Sequence, residues 1–477
     1  MGVKTKRNTV ASQSGLVLKS KVAAISKRVL ADVKPSEEEI RITTAYSNEI
    51  MGRLRAAAPD GVEILFAGSV ARGTELRGSS DIDIFLLFPK GTKKEEITRK
   101  GLEIGKKIVA RRKNESYIIK YAEHPYLRLM LNDMGIKADI VPASKIENHL
   151  ERVTAVDRTQ LHNKFINGHL SMQQKDDVRV LKSFMKSHGI YGAEAKTSGF
   201  SGYLCELMVH QFGSFFDSIQ AVSKLRLPAV FRPLDRSVSS GNSPECMEAV
   251  RKFRKEFVIV DPTDPERNVA AVVSDEALAR LIVASRLFLA RPSLQAFYGS
   301  GYSDAHPERS LAQLRRALGV DIYVVHASAP DVAEDIVWQQ TARLEGSITS
   351  IIERDGFPPL LHFSSVTEGD ANIVLFAPRP GTRCRVVSGP SVFMGESPER
   401  FITSHKGSFG IFFSGSRLVS LEPIKHEGYS GALAYALSVP GVLPSYLPRK
   451  RIKVYLNDMP KDIARAVHSG FIKKITI

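Results

Sequence analysis

The apolar and polar positions in the first third of the chain form a pattern typical of a small α/β unit. Ser36 and Glu39 have the spacing of a capping box, which predicts a helix that starts there and ends before Pro59. The segment after Ser80 first alternates and then becomes wholly apolar, as a mostly buried strand does. The other elements predicted here are a strand at 62–67, a turn at 68–69, a strand at 81–88, a helix from Thr92 to about 110 (Thr92 and Glu95 repeat the capping-box spacing), and strands at 116–123, 126–132 and 136–141.

Residues from about 151 to 290 show helical periodicity instead. Val178, Leu181 and Met185 share one face of a predicted helix over 177–188, and Gly189 is its predicted C-cap. Further helices are predicted over 202–212 and 275–289. Beyond Pro292, the order of a strand (321–326), a long helix (331–354) and two strands (near 360–365 and 372–376) predicts an antiparallel sheet with helices on one face. The predicted fold class is therefore α/β, of the α+β kind.

The balance of charge adds a prediction about partners. Lys and Arg number 67 against 51 Asp and Glu, a net charge of +16 over 477 residues. An excess of this size favours a polyanionic partner over the alternative of a merely solvated surface. Residues 1–28 carry basic but no acidic side chains, which predicts a flexible basic arm leading into a short helix. The arm either touches the partner or has no role.

Composition also excludes several classes of protein. No apolar stretch is long enough to span a bilayer, and we expect no signal peptide because the first residues have no apolar core. The 3 cysteines lie far apart, and none forms a C-x-x-C pair. A disulfide framework and a structural zinc site are therefore not predicted. This use of cysteine fits a protein of the reducing cytoplasm.

A predicted phosphate site follows the strand at 62–67. Gly68 allows close approach of the backbone to a ligand, and Ser69 is the predicted cap of the next helix. The unpaired N–H groups at such a helix start favour an anion, and Arg72, one turn later, can reach the same anion.

Three aspartates form a candidate metal site beside it. Asp81 and Asp83 are two residues apart in a strand, so both carboxylates face the same side. Asp139 stands among apolar neighbours in another predicted strand and needs a compensating cation. Mg²⁺ prefers carboxylate and phosphate oxygens, so the combination predicts catalysis on a phosphate ester.

The order of these motifs resembles that of a known enzyme family. The matching segments are Gly-Ser-Val-Ala-Arg-Gly-Thr at 68–74, Asp-Ile-Asp-Ile-Phe-Leu-Leu-Phe-Pro at 81–89, Tyr-Ala-Glu-His-Pro-Tyr at 121–126, Ala-Val-Asp-Arg-Thr at 155–159, Gly-Ile-Tyr-Gly-Ala-Glu at 189–194, Gly-Phe-Ser-Gly-Tyr-Leu-Cys-Glu-Leu at 199–207, Val-Asp-Pro at 260–262 and Arg-Asn-Val-Ala at 267–270. They are similar to the archaeal-type (class I) CCA-adding enzymes, which are tRNA nucleotidyltransferases of the DNA polymerase beta-like superfamily. The similarity covers about residues 36–290 and is looser beyond them.

This resemblance implies a role for each matching position. Two Mg²⁺ ions would be held by Asp81, Asp83 and Asp139, although the family often has Glu where Asp81 stands. The triphosphate would be held by Gly68, Ser69 and Arg72. The ribose or phosphates of the incoming nucleotide would be contacted by Thr159, His162, Lys182 and Tyr191. Arg267 would contact the edge of the incoming base.

Without the resemblance, several of these residues also fit purely structural roles. His162 fits a surface histidine, and Arg267 fits a surface arginine in a Pro-rich turn. Lys182 fits a solvated basic face, and Tyr191 fits a core aromatic residue.

The resemblance further implies the organisation, the reaction and the partners. The implied domains are a catalytic palm domain (36–150), a helical central domain that completes the nucleotide site (151–290), and a C-terminal α+β region that binds tRNA (291–477). The basic N-terminal arm (1–35) precedes them and is not a feature of the family. The reaction would add C, C and A to the 3′ end of tRNA from CTP and ATP and release pyrophosphate. The partners would be the acceptor and T stems of tRNA, with ATP and CTP; a homodimer stays open. The alternatives are a poly(A) polymerase-like nucleotidyltransferase and a non-catalytic tRNA-binding protein.

Overall fold

The structure is a computed structural model in which the chain divides into two units, Met1–Ser300 and Gly301–Thr476. The predicted domain boundaries at 35, 150 and 290 stay predictions. The described residues are 2–79, 81–109, 115–120, 125–131, 135–298, 306–328, 332–367, 370–378, 384–391, 397–414, 417–423, 426, 428–444, 447 and 451–475.

The first unit contains ten helices and nine strands in its described residues. The helices are α1 (Gly2–Val33), α2 (Glu37–Ala57), α3 (Gly68–Arg72), α4 (Lys94–Ile108), α5 (Thr159–His169), α6 (Met172–Ser187), α7 (Gly202–Phe212), α8 (Phe215–Ser223), α9 (Pro244–Phe253) and α10 (Asp275–Ala290). The strands are β1 (Glu63–Ala67), β2 (Asp81–Phe88), β3 (Glu115–Lys120), β4 (Tyr126–Leu131), β5 (Ile136–Ser144), β6 (Ala229–Arg232), β7 (Ser237–Ser240), β8 (Phe257–Asp261) and β9 (Asp264–Asn268).

Strands β1 to β5 form one mixed sheet in the order β1-β2-β5-β4-β3. The central pair β2 and β5 is parallel and the other pairs are antiparallel. Helices α2 and α4 cover one face, where Ile50, Leu54, Ile97 and Ile104 pack against β2, β4 and β5. The predicted β2 and the Ser36 capping box of α2 are confirmed. The predicted cap of α4 is wrong: its N-cap is Lys93, and the Thr92 hydroxyl donates to the Pro89 carbonyl instead.

Helix α1 replaces the predicted flexible arm. It is a single helix over residues 2–33, and its second half packs on the central helices through Val22 and Val29, which are buried two turns apart. Leu18 and Ile25 lie against the same core. The prediction of a flexible arm was based on the basic charge of this segment and did not take its apolar stripe into account.

The central helices surround a core built by α5 to α8 and α10. The predicted helix over 202–212 is confirmed as α7. The predicted C-cap of α6 is wrong, because the C-cap is His188, and Gly189 follows it with a φ of +68°. The sequence did not predict the small sheet β7-β6-β8-β9 in this region. Its strands have four or five residues, and β6 pairs in parallel with the distant β8. Such short strands have too little local pattern to be recognised.

The second unit has a four-stranded antiparallel sheet, a three-stranded sheet and five helices in its described residues. The helices are α11 (Pro307–Leu318), α12 (Glu334–Arg354), α13 (Ser397–Ser404), α14 (Gly428–Ser438) and α15 (Lys461–Ile475). The strands are β10 (Val320–Ser328), β11 (Leu361–Thr367), β12 (Asp370–Pro378), β13 (Cys384–Ser391), β14 (Gly410–Ser414), β15 (Arg417–Pro423) and β16 (Ile452–Leu456).

The predicted antiparallel sheet of this unit is confirmed in the order β11-β12-β10-β16, but helices cover both of its faces. Tyr323 and Val325 of β10 pack with α12 and α14, whereas Ile322 and Val324 pack with α11 and α15. The expectation of helices on one face is wrong because β10 is apolar on both sides.

Some predictions fall outside the described residues. These are the positions 110, 121–123, 132 and 331 of predicted elements, and residues 121–124 of the family motif. Among the described residues, no helix combines the length and apolarity needed to cross a bilayer.

Candidate active site

Gly68 and α3 lie against the end of β2. Gly68 follows β1 with a φ of +77°, and because Ala67 pairs with Asp83, a Cβ at Gly68 would lie 1.9 Å from the Asp83 Oδ2. Ser69 is the second residue of α3 and not its cap, since the N-cap is Ala67. That predicted role is therefore wrong. Because α3 has only five residues, its dipole adds little, and Arg72 is the main source of positive charge in this helix.

The three predicted aspartates lie on the adjacent strands β2 and β5. Asp83 and Asp139 are direct partners in the parallel register, and Asp81 precedes Asp83 by two residues. Asp81 is exposed, whereas Asp83 and Asp139 are half-buried. Burial, followed by the charge of Asp139, raises the pKa of Asp83 to about 7. Neighbouring carboxylates of this kind repel each other and favour a bound cation.

Arg128 of β4 already pairs with one of these carboxylates. Its Nε and Nη2 donate to Asp139 Oδ1 and Oδ2 at 2.6 and 2.7 Å, because the two residues are partners in the antiparallel register. The guanidinium also lies 5.9 Å from the ring centre of Tyr126. Within the described parts of the chain, no three or more His, Cys, Asp or Glu side chains are grouped closely enough to hold a metal ion.

A buried polar cluster joins α3 to α6 and α7. Glu206 is fully buried and accepts from Arg72 Nε at 3.0 Å and from the Thr74 hydroxyl. Lys182 is 1% exposed and donates to the Thr74 carbonyl at 2.8 Å, so the alternative of a solvated basic face is wrong. Burial lowers the pKa of Lys182 and raises that of Tyr191, which also lies close enough to Glu206 to be influenced by its charge.

A second cluster surrounds Asp261 at the end of β8. His162 Nε2 lies 2.9 Å and Arg267 Nη1 2.8 Å from Asp261 Oδ2. The His162 ring stacks on Tyr203 of α7, with ring centres 3.9 Å apart. Thr159 is the first residue of α5, one turn before His162. Helix α3 packs against α5, so this cluster adjoins the buried polar cluster around Arg72 and Glu206.

The structure thus groups the predicted residues into three adjoining sets: the aspartates, the residues around Arg72, and the residues around Asp261. Arg128, Glu206 and Asp261 were not predicted as site residues. Each of them is a charged residue in an otherwise apolar strand or helix, which is the signal that could have identified it.

Models of three protein families match successive parts of the chain. They are described as nucleotidyltransferase domain (residues 47–162), tRNA nucleotidyltransferase, second domain (176–298), and CCA-adding enzyme, C-terminal domain (318–439). The first match contains the three aspartates and the second contains Glu206, Asp261 and Arg267.

Whole relatives agree with these matches. The CCA-adding enzyme of Archaeoglobus fulgidus is 39% identical over 71% of this chain and 72% of its own length. Those of Methanosarcina acetivorans and Methanocaldococcus jannaschii are 31% and 33% identical over 82% and 80% of this chain and 84% of their own length. Among solved structures, the Cid1 poly(U) polymerase is 17% identical over 58% of this chain and 98% of its own, with a TM-score of 0.44, too distant to add to the assignment. The chain belongs to the CCA-adding enzyme family.

Proposed function

We propose that this chain adds C, C and A to the 3′ end of tRNA, using CTP and ATP and releasing pyrophosphate. The observation that carries the proposal is the family relationship over most of the chain. The carboxylate pair on β2 and β5, beside the basic cluster around Arg72, supports the chemistry of phosphoryl transfer.

Nucleotidyltransferases of this fold generally depend on divalent metal ions. We assign two Mg²⁺ ions to Asp81, Asp83 and Asp139; these carboxylates are not closely grouped in the described residues, so binding the ions would draw them together. The fit rests on Asp83, whose pKa is raised by burial and by Asp139, because a cation would relieve that repulsion. When bound, such ions would lower the pKa of the attacking 3′-hydroxyl and neutralise charge on the leaving pyrophosphate. Arg128 keeps the Asp139 carboxylate oriented on the same side of the sheet as Asp83.

The incoming nucleotide is assigned to the two clusters that meet at α7, with its triphosphate at the cluster around Arg72 and its base at the cluster around Asp261. Gly68 and Ser69 provide backbone next to the triphosphate, and Arg72 and Lys182 provide its positive charge, with Tyr191 beside them. Thr159 and His162 on α5 contact the ribose or phosphates. At the other end, Arg267 contacts the base edge, since a guanidinium offers only donors and both cytosine and adenine present acceptors there.

The partner RNA is assigned to the basic surface of the protein. We propose that the second unit, with residues of α1, contacts the acceptor and T stems by phosphate and shape, which suits an enzyme that serves every tRNA. The reaction belongs in the cytoplasm. A homodimer is compatible with this assignment.

The test is direct. Purified protein is incubated with tRNA that lacks its 3′ end, with CTP, ATP and Mg²⁺, and the product ends are sequenced. We expect ends that stop at CCA. Long tails made from ATP alone would instead identify a poly(A) polymerase, and tRNA binding without any addition would identify a non-catalytic protein.

A further inference from the structure

The carboxylate of Asp261 is completely buried and surrounded by donors. Its Oδ2 accepts from His162 and Arg267, as described above. Its Oδ1 accepts from the Tyr203 hydroxyl at 3.2 Å, and from the backbone N–H and the hydroxyl of Thr263 at 2.9 and 2.8 Å. These five donors outnumber the roughly four lone pairs of one carboxylate, so every acceptor position is occupied. Such a group has no freedom to turn.

This environment keeps the carboxylate ionised. Burial alone would raise the pKa of Asp261, but the hydrogen bond and charge of His162, the Thr263 amide and Arg267 bring it well below its usual range. An ionised carboxylate can only accept hydrogen bonds, so His162 must carry its hydrogen on Nε2. The other ring nitrogen, Nδ1, then points away from Asp261.

The same carboxylate limits the movement of Arg267. The side chain is one-third exposed, and among the described residues Asp261 is the hydrogen-bond partner of its guanidinium, through Nη1 alone. An arginine carries five N–H donors in a rigid, planar fork. An ion pair between one of these donors and a buried carboxylate therefore restricts the directions of the others, which stay available to a ligand.

We propose that Asp261 is the positioning residue for base selection: it holds Arg267 in the single orientation in which the guanidinium meets the acceptors of cytosine and adenine. The inference rests on the proposed function. Uracil and guanine carry an N–H where cytosine and adenine have a ring-nitrogen acceptor, and a fixed donor facing a donor rejects them. A guanidinium free to turn away would lose that rejection, so the selectivity of the enzyme depends on Asp261.

The test compares Asp261→Asn with a matched variant in the same hairpin. Asp264 of β9 is equally buried, and its Oδ2 accepts from Arg152 and Arg158, both at 2.9 Å. Asp264→Asn therefore removes a similar buried charge without touching Arg267. The measured quantities are kcat/KM for all four nucleotides on tRNAs ending one, two or three positions short, and the melting temperature of each variant.

We expect Asp261→Asn to lower the CTP/UTP and ATP/GTP ratios of kcat/KM by about 10-fold or more. Asp264→Asn should lower the melting temperature about as much as Asp261→Asn does, but it should leave both selectivity ratios within about 2-fold of wild type. In an Arg267→Ala background, Asp261→Asn should cause no further loss of selectivity, because the first substitution has already removed the group that Asp261 positions.

The inference is overturned if Asp261→Asn keeps wild-type ratios, or if its effect adds fully to that of Arg267→Ala. If Asp261→Asn does not fold, Asp261→Glu decides, since it keeps the charge but displaces the carboxylate by one methylene; unchanged ratios in that variant overturn the inference. Absence of C and A addition by the wild-type protein would instead refute the proposed function itself, so the two failures are distinguishable.

Discussion

Gly68 offers a direct test of the contact between the phosphate turn and the catalytic strand. A Cβ at this position would lie 1.9 Å from Asp83 Oδ2, 2.8 Å from its Cγ and 2.9 Å from its Cβ. Carbon and oxygen atoms that are not bonded need roughly 3 Å or more. In Gly68→Ala, either the turn or the Asp83 carboxylate must therefore move by about 1 Å.

The effect of Gly68→Ala has two parts, the backbone strain and the contact with Asp83, and a matched variant separates them. Gly68 has a φ of +77°, where an alanine costs roughly 1–2 kcal/mol in backbone strain. Gly78 has a φ of +69°, and nothing lies within 4 Å of a Cβ added there. Gly78→Ala thus carries the backbone cost alone. A displacement of about 1 Å at a reacting group costs on the order of 100-fold in rate, and only Gly68→Ala should show it.

The assay is single-turnover addition of A to tRNA that ends in CC, with tRNA affinity and melting temperature measured in parallel. We expect Gly78→Ala to add A at close to the wild-type rate. Gly68→Ala should be slower by about 100-fold or more, with tRNA affinity unchanged. Addition by Gly68→Ala within about threefold of Gly78→Ala would refute the reasoning, because the Asp83 contact would then not matter to the reaction.

The metal, base, RNA and stability assignments each have their own test. Asp83→Asn should abolish addition and leave tRNA binding intact; substantial residual addition would contradict its role. Arg267→Ala should lower kcat/KM for CTP and ATP by roughly 5- to 150-fold and admit UTP and GTP; wild-type selectivity would place the base contact elsewhere. A protein of net charge +16 should release counterions when it binds tRNA, so its affinity for tRNA should fall steeply as the salt concentration rises. A flat plot of log affinity against log salt concentration would contradict this expectation. The pKa of Asp261 is lowered on folding, so its stabilising effect is present above the unfolded value of about 4 and is lost as the pH falls below it. The gap in unfolding free energy between wild type and Asp261→Asn should shrink from about pH 5 to pH 2, and a constant gap would contradict this.

Local signals predicted much of the first unit. The capping box of Ser36 and the apolar run after Asp83 act within a few residues, so α2 and β2 follow from the sequence. A local signal also misled: Thr92 has the spacing of a cap but donates its hydroxyl to Pro89. Capping spacing shows that a bond can form and does not show which competing acceptor wins.

The parts of the fold and of the site that the sequence did not predict depend on contacts between distant segments of the chain. Strand β6 is stabilised by β8, and Arg128 faces Asp139 only because β4 and β5 pair in one particular register. His162 and Asp261 are 99 residues apart in sequence and 2.9 Å apart in space. Periodicity carries no information about such pairings. Local pattern predicted the three aspartates and the residues around Arg72, and the resemblance added His162 and Arg267, but neither indicated Glu206 and Asp261, the carboxylates that pair with Arg72, His162 and Arg267.

Helix α7 contacts both clusters of the candidate nucleotide site. Glu206 holds Arg72, and Tyr203, one turn earlier, supports Asp261 and stacks on His162. CTP and ATP have the same triphosphate and ribose, so an enzyme that uses both needs a common phosphate end and a discriminating base end. A single helix that contacts both ends keeps the distance between them constant while the base changes. A substitution at Glu206 should therefore lower kcat/KM for all four nucleotides alike, whereas a substitution at Tyr203 should change the ratios of kcat/KM among them.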